Sequence, residues 1–113
     1  MLGKSQRLNL KKDFKWVTSG GKGIDTKFLK MFVRVGENET AKLGIALSGK
    51  SFKEAHERNR ARRLASAAFE VLHSALPSNL NIVALPKASI LGVKSGDVLI
   101  DLEERLKHEK IID

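Results

Sequence analysis

Apolar residues recur along the chain at two spacings, and each change of spacing marks a new element. Ala61, Leu64, Ala65, Ala68, Leu72, Ala75 and Leu76 follow one another at steps of three and four, the period of a helix with one buried face. This helix forms the second half of the stretch Lys50–Leu76, and Pro77 stops it because proline has no amide hydrogen to donate. Leu10, Phe14 and Val17 predict a first helix, Leu10 to Ser19, capped by Asn9 and ended by Gly20-Gly21. A last helix, about Gly96 to Lys107, starts from a Ser95 cap with Asp97 in its first turn and turns Leu99, Leu102 and Leu106 inward. Asp101/Arg105 and Glu103/Lys107 are spaced on it for i,i+4 ion pairs.

Between the helices the period falls to two. Lys27 to Val35 reads as a strand with Leu29, Met31, Val33 and Val35 on a core face, and Phe28, Lys30, Phe32 and Arg34 on the other. Residues 36–40 turn the chain, and Ala41 to Ser48 returns as a second strand, predicted to pair with the first as a hairpin. Its core face is Ala41, Leu43, Ile45 and Leu47. The other face is Lys42, Gly44, Ala46 and Ser48, and its small side chains leave a trough where a ligand can reach the backbone. Lys22 to Thr26 is a connector with room for a short edge strand. Ser78-Asn79 leads into a strand from Leu80 to Leu85, ended by Pro86, and residues 88–94 form a loop. Residues 1–8 are basic and expected to be loosely ordered. This order predicts one α+β domain over residues 1–113, with helices packed on a small sheet.

Charge then narrows the partner. The 113 residues hold 21 Lys and Arg against 13 Asp and Glu, a net charge of +8, which calls for an acidic partner, nucleic acid before membrane. Apolar runs such as Ile82–Leu85 are too short to span a bilayer, and the N-terminus lacks the apolar block of a signal peptide, so the cytoplasm is the expected compartment. Without cysteine there is neither a disulfide nor a thiolate metal site. A nuclease built from protein groups needs converging carboxylates or a partnered histidine. The acids here are scattered, and His56, His73 and His108 sit at unrelated positions and read as surface residues. No catalytic residue and no metal site is predicted.

The cations concentrate at one place. Lys50, Lys53, Arg58, Arg60, Arg62 and Arg63 are interrupted by only two acids, Glu54 and Glu57. At about 100° per residue, Arg58, Arg62 and Ser66 run along one rim of the apolar face, Arg60 lies on the opposite rim, and Asn59 and Arg63 point outward. A solvated face is the plain alternative. Lysine would serve solubility equally, however, and the planar guanidinium fork suits bidentate phosphate contact. Glu57 also cannot neutralise four arginines. Phosphate binding is therefore the reading adopted. Asn59 and Arg60 lie off the apolar stripe, so the fold is expected to survive their loss. For the strand, alternating rings and cations compose a platform for unpaired bases; packing of Phe28 and Phe32 under the first helix explains them equally well. Periodicity alone puts Phe14 in the core.

The run Ala55-His56-Glu57-Arg58-Asn59-Arg60-Ala61-Arg62-Arg63-Leu64, preceded by residues 44–50, resembles the signature of the bacterial ribonuclease P protein subunit. Arg7-Leu8, Asp13-Phe14 with Val17, Phe69 and Asn81–Ala84 extend the resemblance from about Arg7 to Leu106. It implies a two-layer α/β sandwich of three helices and a roughly four-stranded sheet, with a left-handed βαβ crossover that carries the arginine helix (the ribosomal protein S5 domain 2-like fold). It also implies an RNA-binding subunit that assists a catalytic RNA in removing the 5′ leader from precursor tRNA. Hydrolysis and its Mg2+ then belong to that RNA, and the protein binds no cofactor and needs no protein or membrane partner. Lys50, Lys53, Arg58, Asn59, Arg60, Arg62 and Arg63 would bind the catalytic RNA. Phe14, Val17, Phe28, Lys30, Phe32 and Arg34, with Arg58, Arg62 and Ser66, would face the leader. The chain departs from the family's pattern at Ala61, usually a larger aliphatic, at Ser66, usually basic, and at Thr18, usually aromatic. A stand-alone or ribosomal RNA-binding protein is the alternative; it has no need of an aromatic groove remote from its arginines.

Overall fold

The computed structural model describes residues 2–113. Its elements are α1 (Leu10–Gly20), β1 (Lys22–Asp25), β2 (Leu29–Val35), β3 (Lys42–Ile45), α2 (Ala55–Leu72), β4 (Leu80–Pro86) and α3 (Ser95–His108), with short 3-10 turns at Lys4–Gln6, His73–Ala75 and Ala88–Gly92. The sheet runs β1-β2-β4-β3. β1 pairs antiparallel with β2, β2 antiparallel with β4, and β3 parallel with β4.

The short edge strand is therefore present, but β2 and β3 form no hairpin, because β4 lies between them. The reason is visible in the side chains. β4 is buried almost throughout, with Leu80, Ile82 and Ala84 in the main core and Val83 in a second one. A strand apolar on both faces belongs at the centre of a sheet, covered on both sides. β3, which carries Lys42 and Gly44, takes the edge, and α2 makes the crossover from β3 to its parallel neighbour β4.

The larger core fills one face of the sheet. Leu29, Met31, Val33, Leu43 and Ile82 meet Ala61, Leu64, Ala65, Ala68 and Phe69 of α2 and Val98, Leu102 and Leu106 of α3. α1 covers the reverse face through a smaller cluster, in which Val17, Leu8 and Val83 pack with Leu10, Phe32 and Leu85. Asn9 caps α1 as expected, its Oδ1 accepting from the Lys12 amide at 3.3 Å.

Several expectations shift by small steps. The alternation of β2 ends at Val33, and Val35 is 62% exposed where the chain leaves the sheet. α2 stops at Leu72, so Ala75 falls in the 3-10 turn and is exposed. On α3 the buried row is Val98, Leu102 and Leu106, spaced i, i+4, i+8, and Leu99 is only half-buried beside it. Lys94 precedes α3, its amide donating to Asp97 Oδ2 at 3.0 Å. Glu103 and Lys107 pair at 3.8 Å. Arg105 instead turns to Glu109 at 3.3 Å, while Asp101 Oδ2 accepts from the Lys27 amide at 2.9 Å. Glu109 also takes Lys22 at 2.7 Å, and this hydrogen bond holds its carboxyl below the usual range. Lys87 does the same for Asp25 at 3.1 Å.

The N-terminal segment is not loose. The Leu8 amide donates to Leu43 O at 2.9 Å, Arg7 bridges to Leu43, and Leu2 and Leu8 are buried. His73 is half-buried here rather than on the open surface. One ring nitrogen, Nε2, lies 2.8 Å from Ala41 O, and Nδ1 lies 3.5 Å from Gln6 Nε2. His56 and His108 are exposed.

Candidate nucleic-acid interface

The arginines of α2 emerge from a helix whose apolar stripe is locked into the main core. At its start the Glu54 amide donates to Glu57 Oε1 at 3.2 Å, so the acid nearest the arginines is engaged in capping the helix. Arg58, half-buried, donates from Nη1 to Phe52 O at 2.8 Å and to Lys53 O at 3.2 Å, closing the loop that carries the exposed Lys50 and Lys53. Arg60 reaches the opposite rim, as the pattern predicts, and donates to Leu91 O and Val93 O, each at 3.3 Å. Arg62 donates to Asn59 Oδ1 at 3.3 Å; it, Asn59 and Arg63 are exposed. Carbonyl and amide oxygens orient these guanidiniums without neutralising them, so the surface keeps its positive field. Arg58 and Arg60 thus also hold structure, which a reading from the helix period alone misses.

Along the Arg62 rim a cavity of about 220 Å3 opens between α2, β3 and the N-terminal segment, lined by Arg7, Leu8, Leu10, Gly44, Arg62 and Ser66. The trough expected over β3 is partly filled from within. A Cβ on Gly44 would come within 2.5 Å of Leu10 Cδ2, so the missing side chain admits the chain's own N-terminal segment.

α1 crosses the strands on the other face and separates the residues expected to face a leader. Val17 is fully buried beneath it and presents nothing to a ligand. Phe32 is half-buried under the same helix, in the cluster around Val17, with Lys30 Nζ 5.4 Å from its ring. Packing under the first helix therefore describes Phe32. Phe28 leaves this face altogether. Strand pairing begins at Leu29, after a turn in which Thr26 Oγ1 accepts from the amides of Phe28 and Leu29, so Phe28 packs on the opposite core beside Val93 and Ile100 of the α3 side. Phe14 joins neither cluster and is 37% exposed. Phe14 and Trp16 are two residues apart, about 200° around the helix, so they occupy its two flanks. Arg34 is on the Trp16 flank, its guanidinium 4.3 Å from that ring. Lys30, four residues back along β2, lies beside Phe32 and the β1 strand.

What comes together is thus Lys30 with Phe32 under α1, and Arg62 and Ser66 with Arg7 at the α2 rim, while Phe14 stands exposed on α1. Val17, Phe28 and Arg34 are elsewhere. Arg7 and Trp16 had no assigned role in the sequence, since neither falls on an apolar stripe. Among the described residues no three His, Cys, Asp or Glu side chains gather as a metal would need, and no helix is long and apolar enough to cross a membrane.

A family model described as Ribonuclease P matches residues 2–110. The ribonuclease P protein component of Legionella pneumophila (strain Lens) is 38% identical over 96 residues, 81% of this chain and 82% of that one. That of Acinetobacter baylyi is 34% identical over 99 residues, 86% and 74% of the two chains. The RNase P protein of Thermotoga maritima, solved in complex with 1-(4-fluorophenyl)-2-thiourea, superposes with a TM-score of 0.78 at 25% identity, over 89% of this chain and 97% of that one. The Staphylococcus aureus RNase P protein shares the fold with a TM-score of 0.82 at 22% identity, over 97% and 100%.

Proposed function

This chain belongs to the ribonuclease P protein family, and from that premise we propose how its surfaces divide their work. It is the protein component of the endoribonucleoprotein that removes the 5′ leader from precursor tRNA, and it acts with the RNA subunit. In our reading α2 meets that RNA through Asn59, Arg62 and Arg63, with Lys50 and Lys53 on the preceding loop. Arg58 and Arg60 add their field while keeping their carbonyl partners. The leader of the precursor lies along the Phe14 flank of α1, beside Lys30 and Phe32, and ends against Arg62 and Ser66. The Mg2+ of the reaction is assigned to the RNA partner, and the cytoplasm is the working compartment.

One observation carries the substrate assignment. Arg7 and Arg62 come from separate elements yet line one cavity with Leu10 of α1, and the exposed Phe14 stands one turn further along that helix, so cations and a ring share this side of the molecule, the pairing that single-stranded RNA favours. The test is the reconstituted holoenzyme with precursor tRNA and with mature tRNA. Phe14→Ala should weaken precursor binding by about fivefold or more, the lower end of one stacked base, and leave mature tRNA unchanged. Equal loss on both would remove the leader from this flank.

A further inference from the structure

The other flank of α1 borders an open cavity of about 550 Å3 bounded by Asp13, Trp16, Gly36, Asn38, Lys42 and Asn81. We propose that this cavity receives one unpaired nucleobase of a bound RNA, stacked on Trp16 and accepted by the Asn81 amide. The proposal rests on the chain's RNA-binding role and is independent of where the leader lies.

Its floor is a fixed acceptor. Asn81 is 5% exposed in a strand whose neighbouring residues are apolar. Its Nδ2 donates to Asn38 Oδ1 at 2.8 Å and to Arg34 O at 3.3 Å. Asn38 is held in turn, its own Nδ2 donating to the carbonyls of Thr40, Ser78 and Leu80 at 2.8–3.2 Å. Both neighbours of Asn81 Nδ2 are acceptors, so the amide cannot flip, and both of its donors are used. Asn81 Oδ1 is left without a protein partner, an acceptor suited to the amino or ring N–H of a base. Arg105 Nε is the buried side-chain atom that lacks a partner among the described residues, so Asn81 Oδ1 is not sealed in the core but open to the cavity.

Its wall is a braced aromatic ring. Trp16 is 39% exposed. The Arg34 guanidinium lies 4.3 Å from the ring and is anchored by a 2.7 Å hydrogen bond to Trp16 O, and Gly20 leaves it the space to pass. A ring already ordered in this way stacks a base at little further entropic cost. The charge argues against phosphate as the ligand: Lys42 is opposed by Asp13 and Glu37 in the lining. The arginine surface of α2 selects anions; this hollow selects an uncharged planar ring.

Trp16 is the sole tryptophan of the chain, so its emission reports this wall alone. Acrylamide quenching is measured for the free protein, for its complex with the RNA subunit, and after addition of precursor tRNA. The quenching constant should fall at least about threefold at one of these steps, and that step identifies which RNA supplies the base. A constant unchanged through both overturns the proposal. Trp16→Ala should weaken binding of that RNA about five- to a hundredfold, and Trp16→Phe, which keeps a stacking face, should recover most of it. If Phe and Ala are equally impaired, or if the loss only follows a lower melting temperature, Trp16 is structural and the proposal fails. Phe14→Ala lies on the opposite flank, so at RNA concentrations that saturate the variant its quenching constant should match that of the parent, and failure of the leader assignment is read separately, from the affinity alone.

Discussion

Gly21 sits so close to Val33 that a Cβ on it would fall 2.7 Å from the Val33 carbonyl oxygen, and nearer still to that of Val17. The backbone there is extended, at φ −96° and ψ 168°, so it is space and not a special dihedral that requires glycine. This approach is where α1 hands the chain to β1 and presses onto the sheet.

Gly21→Ala should therefore behave as an overpacked core position. Backbone carbonyls cannot move aside as a side-chain end can, and the cost should reach about 2 kcal/mol, a fall in melting temperature of roughly 8 °C or more for a domain near this size. Thermal unfolding followed by circular dichroism measures it, and a melt within a degree or two of the parent would show that α1 is not pressed onto the sheet there.

Arg60 and Arg63 should part company when each is replaced by alanine. Arg60 gives two hydrogen bonds to the carbonyls of Leu91 and Val93, so Arg60→Ala should lose about 1 kcal/mol of stability along with affinity for the RNA subunit. Arg63 is exposed, and its replacement should weaken RNA binding without changing the melt. The expectation that removing Asn59 and Arg60 leaves the fold untouched is revised accordingly. Melting and RNA titration of both single variants decide it: equal melts would contradict the structural share given to Arg60.

Ser66→Arg tests the α2 rim. Ser66 lines the same cavity as Arg62 and Arg7, and a further exposed cation should strengthen binding of leader-bearing precursor by about 0.5–1 kcal/mol. Arginine also has the better helix propensity. Mature tRNA should be unaffected, and equal tightening of both substrates would reveal only general attraction.

Acid should loosen the joint between α3 and β1. Glu109 has its carboxyl held low by Lys22, so folding favours its charged form. Stability from this source is complete above the ordinary glutamate range near ~4.3 and drains away as pH falls through the lower folded value. Glu109→Gln should thus melt lower than the parent at pH ~6 and show a smaller further drop between pH ~5 and ~3. Parallel melting curves for the two proteins over that interval would refute the linkage.

The helices and strands were legible because their apolar residues repeat at 3.6 or 2. Leu29, Met31 and Val33, or Ala61, Leu64, Ala65 and Ala68, announce both the element and the face it buries. Strand partnership was not legible, because a turn at residues 36–40 suits a hairpin as well as a crossover, and only the apolarity of both faces of β4 argues for its central place. Phe28 was misplaced because alternation was carried one residue past the turn held by Thr26. In the candidate interface the arginine surface stood out through residue type and density. The Trp16 hollow did not, since Asn81, Asn38, Lys42 and Asp13 meet only through register across three strands and the helix above them.

The strand order has a consequence for how the chain is made. β2 and β3 both wait for β4, and α1 rests on Val83 within it. A chain emerging from the ribosome can close the β1–β2 pair early, but the two longest-range pairings, and the docking of α1, need residues 80–86. Until then the arginine helix has only the β1–β2 pair to lie on, and its fourfold guanidinium charge hangs beside the very RNA machine that is synthesising it. Closing such distant contacts is slow relative to local ones. The binding surface is thus assembled late and all at once, when one short apolar strand slides between two that are already waiting.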